Sequence, residues 1–359
     1  MAREGLVLVT GGSGFLGSRC ILSALSQGYQ VRTTVRSLQR ADQVRKMLLR
    51  GGATSTQAQS VEFFAADLLR DEGWSEACED CTFVLHVASP FPAIRPKHED
   101  ELVLPARDGT LRVLRAAAAA GTVKRVVVTS SIAAMTYGQP DRGQRAYTEE
   151  DWTVLDNPAR PVAPYPKSKT LAEQAAWDFI AKDGGGMELA TVLPGGIFGP
   201  VLGGEKATTV QLVDRMMKGK VPGLPRLWVG CVDVRDVADL HLRAMIDPAA
   251  KGERFLCLSP DGLMSMQDVA LGLKARLGSK ARQVPRRVVP DFVLRLVGLW
   301  DGEVALVVPE LGKEKVASSA KAQEVLGWRP RSALESLVAT SLSLEELEAA
   351  GSSVEGGHA

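Results

Sequence analysis

The sequence predicts an α/β fold, in which a doubly wound parallel sheet is followed by a smaller, α-rich C-terminal lobe. Short apolar runs typical of strands alternate with helical patterns through the first half of the chain. These runs are continuously apolar, as strands buried on both faces of a parallel sheet must be. A glycine-rich turn follows the first strand, at the edge where such sheets bind ligands.

The first strand, turn and helix form the start of a βαβ unit. Residues 6–10 form a buried strand, Gly11, Gly14 and Gly17 are spaced three apart, and a helix covers residues 18–27. Such a turn lets the backbone approach a pyrophosphate, which then lies on the positive N-terminal end of the helix. The unit therefore predicts dinucleotide binding. The alternative is a tight loop that only requires positive φ.

The end of the second strand indicates which dinucleotide is bound. An NAD site usually has an acidic residue there to bind the ribose 2′-hydroxyl. Here the strand ends at Arg36, Arg40 is close behind, and the first acid, Asp42, comes too late for that role. A guanidinium matches a phosphate with forked hydrogen bonds. We therefore predict NADP(H), with Arg36 as the main ligand of the 2′-phosphate. The alternative is a solvated surface arginine.

Later elements continue the alternation and then change character. Further strands are predicted over residues 61–68, 82–88, 124–131 and 189–193, with helices over 102–120 and 165–182. Glycine and proline become frequent after Pro194, and a strand at 232–234, with the helix after it, can return to the first domain. The predicted division is a dinucleotide-binding domain at 1–194, a mainly substrate-binding lobe at 195–345 and a disordered tail at 346–359.

Composition restricts the classes of partner. The 359 residues carry 43 Lys and Arg against 42 Asp and Glu, so the net charge of +1 suggests neither nucleic acid nor an anionic membrane. The N-terminal residues lead directly into the first strand, which leaves no room for a signal peptide, and no apolar run has membrane-spanning length. We therefore expect a cytoplasmic protein, and the sequence leaves open whether it is a monomer or homodimer.

Cysteine and histidine usage argues against a metal site. The five cysteines are scattered and odd in number, which fits a reducing compartment better than a disulfide framework. Cys78 and Cys81 form a lone C-x-x-C pair with no second pair and no histidine nearby. We predict that no metal is bound.

The predicted catalytic group is a tyrosine and a lysine at the start of a helix. Tyr165 and Lys169 are four residues apart, which places them on one helical face, and Pro166 suits the first turn. A nearby ammonium would lower the pKa of the phenol, which is ordinarily near 10. The fifth strand ends at Ser130 and Ser131, and one of these hydroxyls can bond a substrate carbonyl; Ser131 is favoured. The alternatives are a surface tyrosine–lysine pair and serines that only cap the strand.

Together these motifs resemble the extended short-chain dehydrogenase/reductase family. The segments that carry the likeness are residues 11–17, 67–68, 129–131, 165–169 and 233–238, in that order. Residues 33–37, 86–90 and 326–330 are similar to its dihydroflavonol reductase, cinnamoyl-CoA reductase and aldehyde/ketone reductase branch. The likeness covers about residues 5 to 340 and implies a Rossmann-type cofactor domain.

The resemblance implies a role for each matching residue. Ser131, Tyr165 and Lys169 would be catalytic, with Tyr165 giving a proton to a carbonyl oxygen after pro-S hydride transfer from NADPH. The implied cofactor contacts are Gly11, Ser13, Gly14, Phe15, Leu16, Gly17, Arg36, Arg40, Asp67, Leu68, Val87, Ala88, Ser89, Ser130, Tyr165, Lys169, Pro194, Gly195 and Gly196. Asp67 and Leu68 would hold the adenine, and the segment from Pro194 to Gly196 would lie against the nicotinamide.

The predicted substrate is a small, largely apolar or aryl ketone or aldehyde. Its expected contacts are Pro90, Phe91, Ser131, Ile132, Tyr165, Phe198 and Trp228. Plant flavonoid reductases have a polar loop after the fifth strand, whereas residues 132–137 here are mostly apolar, which disfavours a flavonoid. Open alternatives are a sugar-nucleotide epimerase or dehydratase, a hydroxysteroid dehydrogenase and a non-catalytic NADPH sensor.

Overall fold

The computed structural model describes residues 5–89, 98–140, 145–203 and 207–355. The strands in these residues are β1 (Leu6–Val9), β2 (Gln30–Val35), β3 (Glu62–Ala65), β4 (Phe83–His86), β5 (Arg125–Thr129), β6 (Glu188–Pro194), β7 (Gly196–Phe198), β8 (Trp228–Asp233), β9 (Arg254–Cys257) and β10 (Leu263–Ser265). The helices are α1 (Phe15–Ser26), α2 (Ala41–Arg50), α3 (Ser55–Ser60), α4 (Trp74–Cys78), α5 (Asp100–Ala120), α6 (Pro164–Asp183), α7 (Thr208–Met217), α8 (Val234–Ile246), α9 (Met266–Leu277), α10 (Asp291–Val297), α11 (Gly302–Val307), α12 (Ala320–Leu326) and α13 (Ala333–Glu355).

The larger sheet within the described ranges has seven parallel strands in the order β3-β2-β1-β4-β5-β6-β9. The predicted α/β fold with a doubly wound parallel sheet is therefore confirmed. Strand β1 pairs with both β2 and β4, so the strand order reverses beside β1. Ligands of such sheets bind outside the carboxyl ends of the strands at this reversal.

Alternate residues of β1 explain how the sheet is covered on both faces. Val7 and Val9 pack into the apolar cluster formed with α1 and α8, whereas Leu8 packs into the cluster on the opposite face, formed with α5 and α6. Successive side chains of a strand point to opposite faces, so an uninterrupted apolar run fills both cores. This double burial fixes the positions of the loops at the carboxyl edge.

The C-terminal half differs from the sequence prediction in its strands. Residues 232–234 do not pair with the large sheet: β8 pairs with β7 and β10 in a separate three-stranded sheet, while Val232 and α8 pack into the apolar cluster on one face of the large sheet. Strand β9, which the sequence analysis missed, is the one that crosses back and pairs with β6. Its four residues are too few to give a clear periodic signal.

The tail prediction is also corrected. Helix α13 continues to Glu355, so residues 346–355 are helical in the structure, while 356–359 lie outside the described residues. Leu347 packs against the cluster that contains Val210, and Glu348 pairs with Lys218, which directly follows α7. These contacts join the helix to the lobe, which composition alone does not reveal.

The cysteines of the chain are neither paired with one another nor arranged as metal ligands in the described residues. All five cysteines are buried and free, and burial raises the pKa of the Cys78 thiol to about 12 and that of Cys81 to about 11. Within the described ranges, no group of three or more Asp, Glu, His or Cys side chains could hold a metal ion. No helix in that part of the chain is long and apolar enough to cross a membrane.

Candidate active site

The glycine-rich loop connects β1 to α1 with close backbone contacts. Gly11 has φ +72° and its amide donates to Thr34 Oγ1 at 3.1 Å, and a Cβ at this position would lie 3.1 Å from the Cβ of Ala88. Helix α1 begins at Phe15, and Gly14 caps it without a side-chain hydrogen bond. The first-turn amides therefore have no side-chain cap, which fits a bound pyrophosphate.

Gly17 is required by packing, and its substitution gives a first prediction. A Cβ on Gly17 would lie 2.2 Å from the Gly11 carbonyl oxygen, a backbone atom that cannot easily move. We expect Gly17→Ala to lower the free energy of unfolding by about 1–3 kcal/mol through overpacking, and to weaken cofactor binding. Chemical denaturation measures the first effect. The control is Gly302→Ala, where a Cβ meets no atom within 4 Å; equal stability of the two variants would contradict the prediction.

The loop after β4 is held by Thr10 and His86. Thr10 Oγ1 accepts hydrogen bonds from the amides of Val87 (3.0 Å) and Ala88 (2.9 Å) and lies 3.0 Å from His86 Nδ1. The hydroxyl therefore donates to Nδ1, because its oxygen already accepts twice. Burial lowers the pKa of His86 to about 3, so this imidazole is neutral. The contacts fix the predicted cofactor residues 87–89 beside the glycine loop.

The predicted adenosine-side residues lie at the ends of β2 and β3. Arg36 is exposed directly after β2, and Arg40 lies in the 3₁₀ turn Leu38–Arg40, where its Nε is 3.4 Å from Gln43. Asp67 follows β3, and its Oδ1 accepts from the Leu69 amide at 3.0 Å. The side chain that directly follows β2 is thus cationic, which fits the phosphate of NADP(H) better than the 2′-hydroxyl of NAD.

The structure brings Ser131 and Tyr165 together. Ser131 follows β5 and caps the 3₁₀ turn Ile132–Ala134, while Tyr165 lies in the first turn of α6, which begins with Pro164. Their side chains are hydrogen-bonded. Desolvation raises the pKa of the Tyr165 phenol to about 12, and the Ser131 hydrogen bond opposes that rise. The phenol is therefore protonated at neutral pH.

Lys169 contacts the loop that follows β4. Its ammonium donates to Ser89 Oγ at 2.8 Å. Burial lowers the pKa of Lys169 to about 8, and the Glu173 carboxylate opposes that effect. Burial has the largest effect on the Tyr165 phenol and raises its pKa, so the predicted effect of Lys169 on that phenol stays a prediction. The lysine is directed towards the predicted ribose path.

The remaining predicted residues are dispersed. Ser130 Oγ donates to Glu173 at 2.6 Å, whereas Pro194 ends β6 and Gly195 lies so near Gly230 that a Cβ would be 2.7 Å from its carbonyl oxygen. Ile132 directly follows Ser131 and is partly buried, and Trp228 is partly buried at the start of β8.

For three of the predicted substrate contacts, the described residues show no exposed side chain at the site. Phe198 is 1% exposed in the core of the C-terminal lobe, packed with Met216, so its position fits a core residue instead. Pro90 and Phe91 lie outside the described residues.

Sequence reasoning missed a polar group beside Tyr137. Lys315 Nζ lies 3.7 Å from the centroid of the Tyr137 ring and 2.6 Å from Glu310. Tyr137 also interacts electrostatically with Tyr165, and desolvation raises its pKa well above the usual value. No motif marks Lys315 or Glu310, because their approach depends on how the C-terminal lobe packs. It also missed Thr10, His86, Glu173 and Arg254.

Fold and site together define a dinucleotide-binding α/β protein with a serine–tyrosine–lysine group at the carboxyl edge of its sheet. Residues 7–257 match the model of the NAD dependent epimerase/dehydratase family, and the chain belongs to that family. This confirms the predicted resemblance to the extended short-chain dehydrogenases/reductases.

The chain is also similar to named reductases and to solved structures. The chain is 33% identical over 264 residues to a dihydroflavonol 4-reductase of Zea mays, covering 72% of this chain and 71% of that one. It is 34% identical over 252 residues to the cinnamoyl-CoA reductase CAD2 of Medicago truncatula, covering 70% and 75%. A structure of Gre2 in complex with NADPH from Candida albicans matches with a TM-score of 0.75 and 26% identity, covering 96% and 99%.

Proposed function

We propose that this protein is an NADPH-dependent carbonyl reductase, which converts a ketone or aldehyde into an alcohol. The observation that carries the proposal is the hydrogen bond between Ser131 and Tyr165, because two hydroxyls so placed can both bond one carbonyl oxygen. The relatives named as reductases and the Candida neighbour solved with NADPH support the same class of reaction.

The chain's own residues supply the proton and the orientation. Bound NADPH would supply the hydride to the carbonyl carbon, on the pro-S side that the family resemblance implies. Tyr165, protonated because its pKa is about 12, gives its proton to the carbonyl oxygen, and Ser131 donates a hydrogen bond to that oxygen. Lys169 and Ser89 hold the ribose hydroxyls of the cofactor.

The loops at the carboxyl edge bind the rest of the cofactor. The first turn of α1 holds the pyrophosphate, Arg36 and Arg40 hold the 2′-phosphate, and Asp67 with Leu68 holds the adenine. Residues 1–194 form most of this domain, and 195–345 supply most of the substrate side, with Ile132 and Trp228 as apolar contacts. A largely apolar ketone or aldehyde is the substrate class that these contacts favour.

The test is the loss of NADPH absorbance with ketones, aldehydes, β-keto esters and a dihydroflavonol, with NADH in parallel. We expect turnover with NADPH and a ranking that favours apolar carbonyl compounds. Cofactor binding without turnover across the whole panel would contradict the reductase and favour a sugar-nucleotide epimerase or dehydratase, or a cofactor sensor.

Arg36→Ala tests the cofactor preference. Loss of a charge-assisted hydrogen bond to phosphate costs about 1.5–3 kcal/mol, so the KM for NADPH should rise about 10- to 100-fold while the KM for NADH stays unchanged. Steady-state kinetics with both cofactors measures this. Arg115→Ala, the same change at an exposed arginine of α5, is the control. An equal loss for both cofactors would show that Arg36 does not bind the 2′-phosphate.

A further inference from the structure

Glu173 is a fully buried carboxylate on α6, one turn beyond Lys169. Its Oε2 accepts from Ser130 Oγ at 2.6 Å and from Arg254 Nη2 at 3.2 Å. Its Oε1 accepts from Thr191 Oγ1 at 2.8 Å and from Arg254 Nε at 2.7 Å. One carboxylate therefore joins α6 to β6, to β9 and to the end of β5, next to Ser131.

Arg254 extends these contacts from β9 to the loop before α6. Its Nη1 donates to the carbonyl oxygens of Glu149 (2.6 Å) and Asp151 (2.8 Å), and its guanidinium lies 3.7 Å from the centroid of the Trp152 ring. The Glu149 carboxylate in turn accepts from the Leu256 amide at 2.9 Å. The loop 149–152 is thus fixed to β9.

The same loop holds the turn that follows Ser131. The amide of Thr153 donates to the Ala134 carbonyl and its hydroxyl to the Ala133 carbonyl, both at 2.8 Å. The Tyr137 amide donates to Thr153 Oγ1 at 3.1 Å. Ser131 is consequently held on both sides: at Ser130 by Glu173, and at its 3₁₀ turn by the loop that Arg254 fixes.

We propose that the Glu173–Arg254 ion pair positions Ser131 for the reaction, and that Glu173 is a positioning residue rather than a catalytic one. The inference rests on the proposed reductase function. Burying an ion pair has a large desolvation cost, which adjacent hydrogen bonds must offset, so the six hydrogen bonds described above contribute little net stability. What they supply is a fixed geometry at the hydroxyl that bonds Tyr165, where a displacement of about 1 Å can cost about 100-fold in rate.

Glu173 also acts on the charge of Lys169. The carboxylate favours the ammonium form, against the burial that lowers the pKa of Lys169 to about 8. Among the described residues, His86 at the end of β4 also interacts with this lysine, and it is neutral at pH 7 because its pKa is about 3. Replacing Glu173 by a neutral isostere should therefore lower the pKa of Lys169 further.

The decisive variant is Glu173→Gln, which keeps the shape of the side chain and removes its charge. At a pH low enough to keep Lys169 protonated, we expect kcat to fall about 10- to 100-fold with little change in the affinity for NADPH, since the misplaced group is the serine. We also expect the alkaline limb of the kcat/KM profile to move to lower pH, because Lys169 loses its proton earlier.

The matched control is Asp236→Asn. Asp236 is another buried carboxylate paired with an arginine, Arg331, but it lies outside the site. This variant should lose stability while kcat and its pH profile stay unchanged. If Glu173→Gln behaves in the same way, with a loss of stability only, the proposal is wrong.

A second pair of variants keeps the proposal testable if Glu173→Gln does not fold. Ser130→Ala removes only the direct bond from Glu173 to the residue before Ser131, and we expect kcat to fall several-fold without a shift of the pH profile. Ser336→Ala makes the same change at a buried serine of α13 whose hydroxyl donates to the carbonyl of Ser332, directly before that helix. Equal kcat in these two variants would overturn the proposal.

Failure of the proposed function gives a different result. If the wild-type protein turns over no carbonyl compound, the reductase proposal fails, and the pKa of Lys169 can still be followed by NMR of isotope-labelled lysine. A lower Lys169 pKa in Glu173→Gln would then support the electrostatic part of this inference, and an unchanged pKa would refute it.

Discussion

Tyr165→Phe is expected to lower kcat by about two to four orders of magnitude, the usual contribution of a positioned general acid. The substitution removes the only proton of the side chain that can reach the carbonyl oxygen, while it keeps the ring that packs at the start of α6. Because the pKa of the phenol is about 12, Tyr165 is protonated at neutral pH and can donate the proton that reduction requires. Single-turnover measurements with saturating NADPH would separate this chemical effect from binding.

The control for this variant is Tyr29→Phe. Tyr29 is buried against Phe83 at 6.5 Å between ring centroids, far along the chain from the proposed site. It should keep wild-type kcat. Affinity for NADPH, measured by fluorescence, should be close to wild type in both variants. Turnover that survives in Tyr165→Phe would remove this residue from the mechanism.

Lys169→Met is expected to lower kcat/KM by about 10²- to 10³-fold, comparable to the loss of one strong donor in an active site. The ammonium that donates to Ser89 would be lost, and with it the group proposed to hold the ribose. KM for NADPH should rise along with the fall in kcat, unlike the result for Tyr165→Phe. Steady-state kinetics with both variants in parallel separates the two roles.

The same lysine sets an expected pH dependence. Burial lowers its pKa to about 8, so the ammonium is present below that pH and is lost as the pH rises through it. The kcat/KM of the wild-type enzyme should therefore decline above about pH 8. Lys167→Met is the control, because Lys167 is on the same turn but pairs with Glu99 at 2.8 Å. A decline that persists in Lys169→Met would assign it to another group.

Local sequence was sufficient for the parts of the site that lie within one element or one turn. The glycine spacing between β1 and α1, the cation after β2 and the tyrosine–lysine spacing on α6 are all short-range patterns. The family resemblance identified Ser131, but its neighbour Ser130 could not be distinguished by pattern. The structure separates the two hydroxyls, since one bonds Tyr165 and the other bonds Glu173.

Sequence could not reveal contacts between distant segments. Glu173 and Arg254 are 81 residues apart, and nothing near Arg254 predicts that a four-residue strand carries it into the large sheet. Likewise, helical spacing predicts that Lys169 lies on the same helical face as Tyr165. The hydrogen bond from its ammonium to Ser89 depends on where the loop after β4 lies, which that spacing does not give. Helical spacing gives the shared face but not the partner across the cleft.

The return of β9 to the large sheet has a consequence for how the chain can be divided. A fragment that ends at residue 194 would contain the glycine turn, both serines, Tyr165 and Lys169, yet it would lack Arg254. The edge of β6 that pairs with β9 would have unpaired amides and carbonyls, which favours edge-to-edge association with another chain. Glu173 would lose the arginine that pairs with it in the full chain. The cofactor half is therefore not a separable module, and its sheet is complete only after the ribosome has made more than sixty further residues.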